Sequence, residues 1–168
     1  WSSFSTLVHL LLKNNIAFQY YTFDLKDPGL KIDHPLMQSK LIFNNAFGQY
    51  SWKAIEGDIC LTTTPNIGSK GYLVRPKKIK KLVHFFHSIA DVGMYRLNSL
   101  DFYDEILIAG KFQIKSVRFL ESYRDLNKKK LVPVGLPYFD LLLERAQIEK
   151  ETLKNKSILI ASSWGNKG

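Results

Sequence analysis

Near the N-terminus the apolar positions recur at helical spacing. Phe4, Leu7, Val8, Leu11 and Leu12 form one stripe, Ser2, Ser3 and Ser5 precede it as capping candidates, and Asn14-Asn15 closes it. His9 and Lys13 fall away from that stripe, so His9 reads as a surface residue. The period then changes. "IAFQYYTF", rich in aromatic and β-forming residues, predicts a strand, and the turn signal "KDPGL" ends it.

The alternation continues to the C-terminus. "KLIFN" predicts a short strand, "AFGQYSWKAIEG" a short helix and "DICLTTT" a strand. "KKLVHFF", entered from the proline-led basic segment "RPKKIK", is the next strand, followed by "YDEILIAG". "KFQIKSVRFLESYRD" predicts a helix with Phe112, Val117, Leu120 and Tyr123 inward; "KLVPVG" is a strand, "PYFDLLLERAQ" a helix and "KSILIASS" a last strand. Short apolar strands separated by helices or loops of about ten or more residues indicate parallel β-α-β construction. Continuous apolar runs such as "ILIA", which occurs twice, imply strands covered on both faces. The expected fold is α/β, a Rossmann-like, doubly wound parallel sheet with helices on both faces.

In such a sheet, ligands bind beyond the carboxyl ends of the strands. The residues expected there are Thr62, Thr63, Thr64 and Pro65, then His87 and Ser88, then Gly110 and Lys111, then Gly135, and finally Ser162, Ser163, Trp164 and Gly165. They are small or polar, as a pocket rim requires and as loops in any case are.

Composition narrows the classes. With 168 residues, 45% of them hydrophobic, the chain can bury a core and is expected to hold one domain and a fraction of another. It begins at Trp1 and stops at Gly168 just after a strand-like run, so both ends are expected to be cut from a longer protein. The single cysteine, Cys60, is expected to be buried; it excludes an internal disulfide framework and a cysteine-rich metal site. No apolar run approaches the roughly 18 residues of a membrane span, and no signal peptide is visible.

Net charge is +9, with Lys77, Lys78, Lys80 and Lys81 in one block and Lys128, Lys129 and Lys130 in another. Such blocks either attract phosphate-bearing partners or form a solvated face. A nucleic-acid surface is not expected. The aromatics of "RPKKIKKLVHFF" alternate as core residues, and no RNA-binding signature or helix-turn-helix pattern accompanies them.

No GxGxxG, GxxxxGK[ST] or GxSxG motif is present, which disfavours classical dinucleotide, P-loop and serine-hydrolase chemistry. No metal site and no cofactor are expected. His84 and His87 would lie on opposite faces of an extended strand and are not expected to share a metal. His34, in "KIDHP", is expected in a solvent-facing loop. His87 ends the apolar strand of "VHFFHSIAD" and has two readings. It is either a general base whose neutral imidazole accepts a substrate proton, with Asp91 as an orienting group, or a structural histidine bonded to a backbone carbonyl.

The ordered segments "LLKNNIAFQYYTFDLKDPGL", "DICLTTTPNIG", "VHFFHSIADVGMYR", "FYDEILIAGKFQIKSVR", "VPVGLPYFDLLLE" and "ILIASSWGNKG" together resemble the CDP-glycerol glycerophosphotransferase family. The resemblance covers nearly the whole chain; its strongest parts are the strand-end histidine, the "YDEILIAG" strand with its helix, and the "VGLPYFD" turn. It implies a GT-B arrangement, two Rossmann-like domains facing each other across a cleft. Residues 1–147 would be the N-terminal, acceptor-side domain, 148–156 a connector, and 157–168 the first strand and loop of a nucleotide-binding domain.

The implied activity is transfer of a polyol phosphate, of the glycerol phosphate type, from a CDP-activated donor to a hydroxyl of a lipid-linked, teichoic-acid-like or capsule polymer. The implied location is cytoplasmic, peripheral on the inner face of the membrane, with Lys77, Lys78, Lys80 and Lys81 against the anionic surface. His87 matches the family's base. Thr63, Thr64, Pro65, Ser88 and Asp91 are the expected substrate-side residues, and Ser162, Ser163, Trp164 and Gly165 match the donor-phosphate loop. Gly135 and Pro137 match the turn before the last helix. Where the family usually has Gly-Thr-Pro after the histidine, this chain has Ser88, Ile89 and Ala90. The chain alone, without the donor domain, is expected to be inactive. The alternatives are another GT-B enzyme, a nucleotide-sugar glycosyltransferase or 2-epimerase, and a non-catalytic domain that binds anionic polymer or membrane.

Overall fold

The computed structural model describes Trp1 and residues 3–152, with side chains through Gln147. The strand predicted at "KSILIASS" and the loop of Ser162, Ser163, Trp164 and Gly165 lie outside the described residues. One compact unit spans Trp1–Tyr138, and a second begins at Phe139.

Helix α1 is Ser5–Lys13, β1 Phe18–Thr22, β2 Met37–Leu41, α2 Ala46–Lys53, β3 Glu56–Thr62 and β4 Lys78–Phe85. They are followed by β5 Glu105–Ile108, α3 Phe112–Tyr123, β6 Lys130–Pro133 and α4 Pro137–Thr152. No serine occupies the cap position of α1. Its cap position falls on Phe4, which has no side-chain acceptor, and the Trp1 carbonyl receives the N–H groups of Phe4 and Ser5 at 2.8 and 2.9 Å. Helix α2 is capped by Asn45, whose side-chain oxygen accepts from Gly48 N at 2.9 Å. Pro137 opens α4, and Asp140 in its first turn complements the helix dipole. The helix runs to Thr152, so the first half of the expected connector is helical.

The fold is α/β. Strands β3, β4, β5 and β6 form a parallel sheet in that order, and β1 and β2 pair as a separate parallel ribbon. Parallel register sets Thr62, His84, Ile106 and Leu131 in one row across the larger sheet. All four strands consequently end at the same edge. Helices flank both faces. On one, Phe4 of α1 meets Phe85 with ring centroids 6.1 Å apart. On the other, Val117 of α3 joins Leu82, Phe86, Leu100, Tyr103 and Ile106 in the main core.

The expectation of strands covered on both faces holds best at the centre. Leu82, Val83, His84 and Phe85 of β4 are buried in succession and so on both faces, whereas Gly57, Asp58 and Ile59 of the outer strand β3 are exposed. Among the described residues β3 has a partner strand on one side only, and there acidic residues face the lysines of β4.

Candidate functional site

The site is built around the end of β4. Residues two apart on a strand share a face. Leu82, His84 and Phe86 accordingly point into the main core, all fully buried. The His84 ring is enclosed edge-on by Phe86, Tyr103 and Tyr95, with centroids 4.8, 5.2 and 5.8 Å away. Among the described residues neither of its nitrogens has a hydrogen-bond partner, nor does the buried Tyr95 hydroxyl. Burial, with a smaller contribution from His87, pushes the His84 pKa down to about 3, so the ring is neutral near pH 7.

The strand stops at Phe85, two residues earlier than the predicted end at His87. Phe86 N still reaches Leu107 O at 3.3 Å, and the chain then turns away from the sheet. His87 is exposed, and among the described residues no hydrogen bond or ion pair engages its ring. The two histidines thus differ in kind, one sealed in the core and one presented to solvent at the carboxyl edge.

Of the expected substrate-side residues, Thr63, Thr64, Pro65 and Ser88 lie on that same edge. Thr64 is exposed and its N–H donates to Thr62 Oγ1 at 3.0 Å; Thr63, Pro65 and Ser88 are half-buried. Asp91 does not orient the imidazole. Its carboxylate accepts from Gly93 N at 2.8 Å and caps the short 3-10 turn Val92–Met94.

Residues below the edge, absent from the sequence reading, hold it in shape. The Tyr103 hydroxyl donates to the Thr64 carbonyl. Ser99 Oγ donates to Asn66 Oδ1 at 2.8 Å, and Asn66 N to Ser99 O at 2.9 Å. Asn66 sits at φ 68° and Gly68 at φ 91°, where a Cβ would come within 2.6 Å of the Phe102 ring. Gln113 joins the end of β5 to the loop after His87. Buried polar residues at inward helix positions were the available signal, but only contacts identify their partners.

The lysine blocks are altered by their surroundings. Lys78 pairs with Glu56 at 3.0 Å, Lys80 with Asp58 at 2.6 Å and Lys81 with Glu105 at 2.7 Å. Lys77 is exposed without an acidic partner among the described residues. In the second block Lys129 is buried and its Nζ donates to Asp101 O at 3.0 Å, while Lys130 reaches Glu105 at 3.3 Å.

His9 is exposed as expected, with Nδ1 2.7 Å from Ser5 O. His34 is half-buried and its Nδ1 accepts from Leu36 N at 3.2 Å. Cys60 is partly buried, and burial raises its thiol pKa to about 11, so it stays protonated. A groove of about 240 Å3 lies at the opposite edge, where Gln49, Trp52, Lys53 and residues 71–74 meet ahead of β3 and β4. Among the described residues no group of three or more His, Cys, Asp or Glu is arranged to hold a metal, and no helix is long and apolar enough to cross a membrane.

Comparison with known proteins identifies no relative: no family model, no curated protein and no solved structure matches the chain.

Proposed function

We propose that this chain is the acceptor-side, Rossmann-like half of a GT-B transferase that moves a polyol phosphate from a CDP-activated donor to a hydroxyl of an envelope polymer. The observation that carries this reading is the exposed His87 ring, unpartnered among the described residues, just past an inner strand of a parallel sheet, with Thr63, Thr64 and Ser88 on the same edge. A base for an incoming hydroxyl must be reachable, neutral and free to accept a proton. An imidazole with no internal bond meets the geometric part of that requirement.

In the proposed step, the acceptor hydroxyl oxygen forms a bond to the phosphorus that bears the polyol, and its proton passes to His87. The bond from that phosphorus to the bridging oxygen breaks, and CMP leaves with the electron pair. The developing negative charge needs cations and backbone N–H groups around it. On this reading the donor lobe, beginning within residues 157–168, supplies them, and the present chain supplies acceptor, base and one wall of the cleft.

The test is His87→Ala in the complete two-lobed transferase, assayed with CDP-glycerol and a polymer acceptor. Loss of a general base lowers kcat by about 10²- to 10⁴-fold. An unchanged kcat in a folded variant removes His87 from the mechanism and this reading with it.

A further inference from the structure

We infer that Gln113 is a positioning residue for His87, tying the loop that carries the imidazole to the end of the neighbouring strand. Gln113 lies in the first turn of α3 and is 1% exposed. Its Oε1 accepts from Ala109 N, the first residue past β5, at 2.8 Å. Its Nε2 donates to Ala90 O, three residues beyond His87, at 2.9 Å.

No bond within the described residues holds the His87 ring, so its direction is set by the backbone on either side. That backbone is pinned twice, by Phe86 N on Leu107 O before the histidine and by Gln113 on Ala90 after it. Both pins lead to β5 and its outgoing turn, which makes the His87 loop one rigid piece with the central sheet. An apolar side chain of the same size at position 113 leaves the Ala109 N–H and the Ala90 carbonyl without this partner. Buried groups left so cost stability and release the loop. The inference rests on the reading of His87 as a base, but its test does not need catalysis.

Backbone ¹⁵N relaxation is measured on the 168-residue chain, native and with Gln113→Glu. The glutamate keeps an acceptor for Ala109 N but, when ionised, offers no donor to Ala90 O. Protonation returns that donor, and burial raises the pH at which it occurs. In the native chain the order parameters of Ser88, Ile89 and Asp91 lie near the rigid value of about 0.85; in Q113E at about pH 8 they fall below about 0.6. β4 and β5 stay rigid, and lowering the pH to about 5 restores the loop. Gln113→Met, lacking donor and acceptor alike, loosens the loop at both pH values.

A loop equally rigid in Q113E overturns the inference, as does loosening in Q113E that acid does not reverse. Unfolding of both variants also overturns it, because Gln113 then supports the whole fold and not the loop in particular. His87→Ala leaves these order parameters unchanged, so failure of the catalytic reading and failure of the positioning role are separately visible.

Discussion

His84 and His87 are three residues apart, and position relative to the sheet gives them opposite properties. The His84 ring, enclosed by Phe86, Tyr95 and Tyr103 with both nitrogens unpartnered, has its pKa lowered from 6.5 to about 3 by burial. Between those values the unfolded chain binds a proton that the folded chain does not, so stability is present in full above about pH 6.5 and falls as pH drops toward 3. The group's contribution to the slope is at most about 1.4 kcal/mol per pH unit. Denaturant unfolding at pH 7, 5 and 4 measures it, with His84→Phe as the reference that keeps an aromatic ring and removes the titration. The substitution flattens the slope across that window, and equal slopes would place the proton uptake elsewhere.

At this scale the sequence was partly legible. "KLVHFFH" marked a strand leading to a histidine at the carboxyl edge, and the histidine is at that edge. Spacing alone does not show that the Asp91 carboxylate, four residues on from His87, caps its own turn.

Among the elements, α3 departs most from its apolar pattern. Phe112 and Tyr123, predicted inward, are 55% and 67% exposed, and Phe119 is 65% exposed. The inner stripe is Gln113, Val117 and Glu121, at i, i+4 and i+8. Two of the three are polar because the helix binds backbone at both ends. Gln113 takes Ala109 N and Ala90 O, and Glu121 takes Lys129 N at 2.8 Å and Arg118 at 2.6 Å. Hydrophobic periodicity cannot find a face whose residues are chosen for bonding. Glu121→Ala leaves the Lys129 N–H without its acceptor and destabilises the unit by about 1–3 kcal/mol in denaturant unfolding. A change within a few tenths of a kcal/mol would show that water replaces the carboxylate without penalty. The existence of β1 to β6, by contrast, was readable from short apolar runs, but not the separation of β1 and β2 from the larger sheet; boundaries moved by a few residues, as at β2, predicted at "KLIFN" and found at Met37–Leu41.

Across the whole molecule, charge and shape sort to different places. The excess of +9 reads as an anion-binding surface in sequence. Folding places Glu56, Asp58 and Glu105 beside the lysines of β4, so that block offers less charge to a phosphate-bearing partner than its sequence implies. Cross-strand pairing is a long-range property, and the acidic partners are more than twenty residues away in the chain. At the carboxyl edge of the sheet the His87 imidazole meets solvent.

Carbethoxylation of the native chain by diethyl pyrocarbonate near neutral pH, read by fragment-ion mass spectrometry that separates positions 84 and 87, tests this openness most directly. Modification at His87 is expected to be at least about tenfold faster than at His84, whose ring must wait for local opening of the core. Equal rates, or modification of His84 with His87 protected, would contradict it.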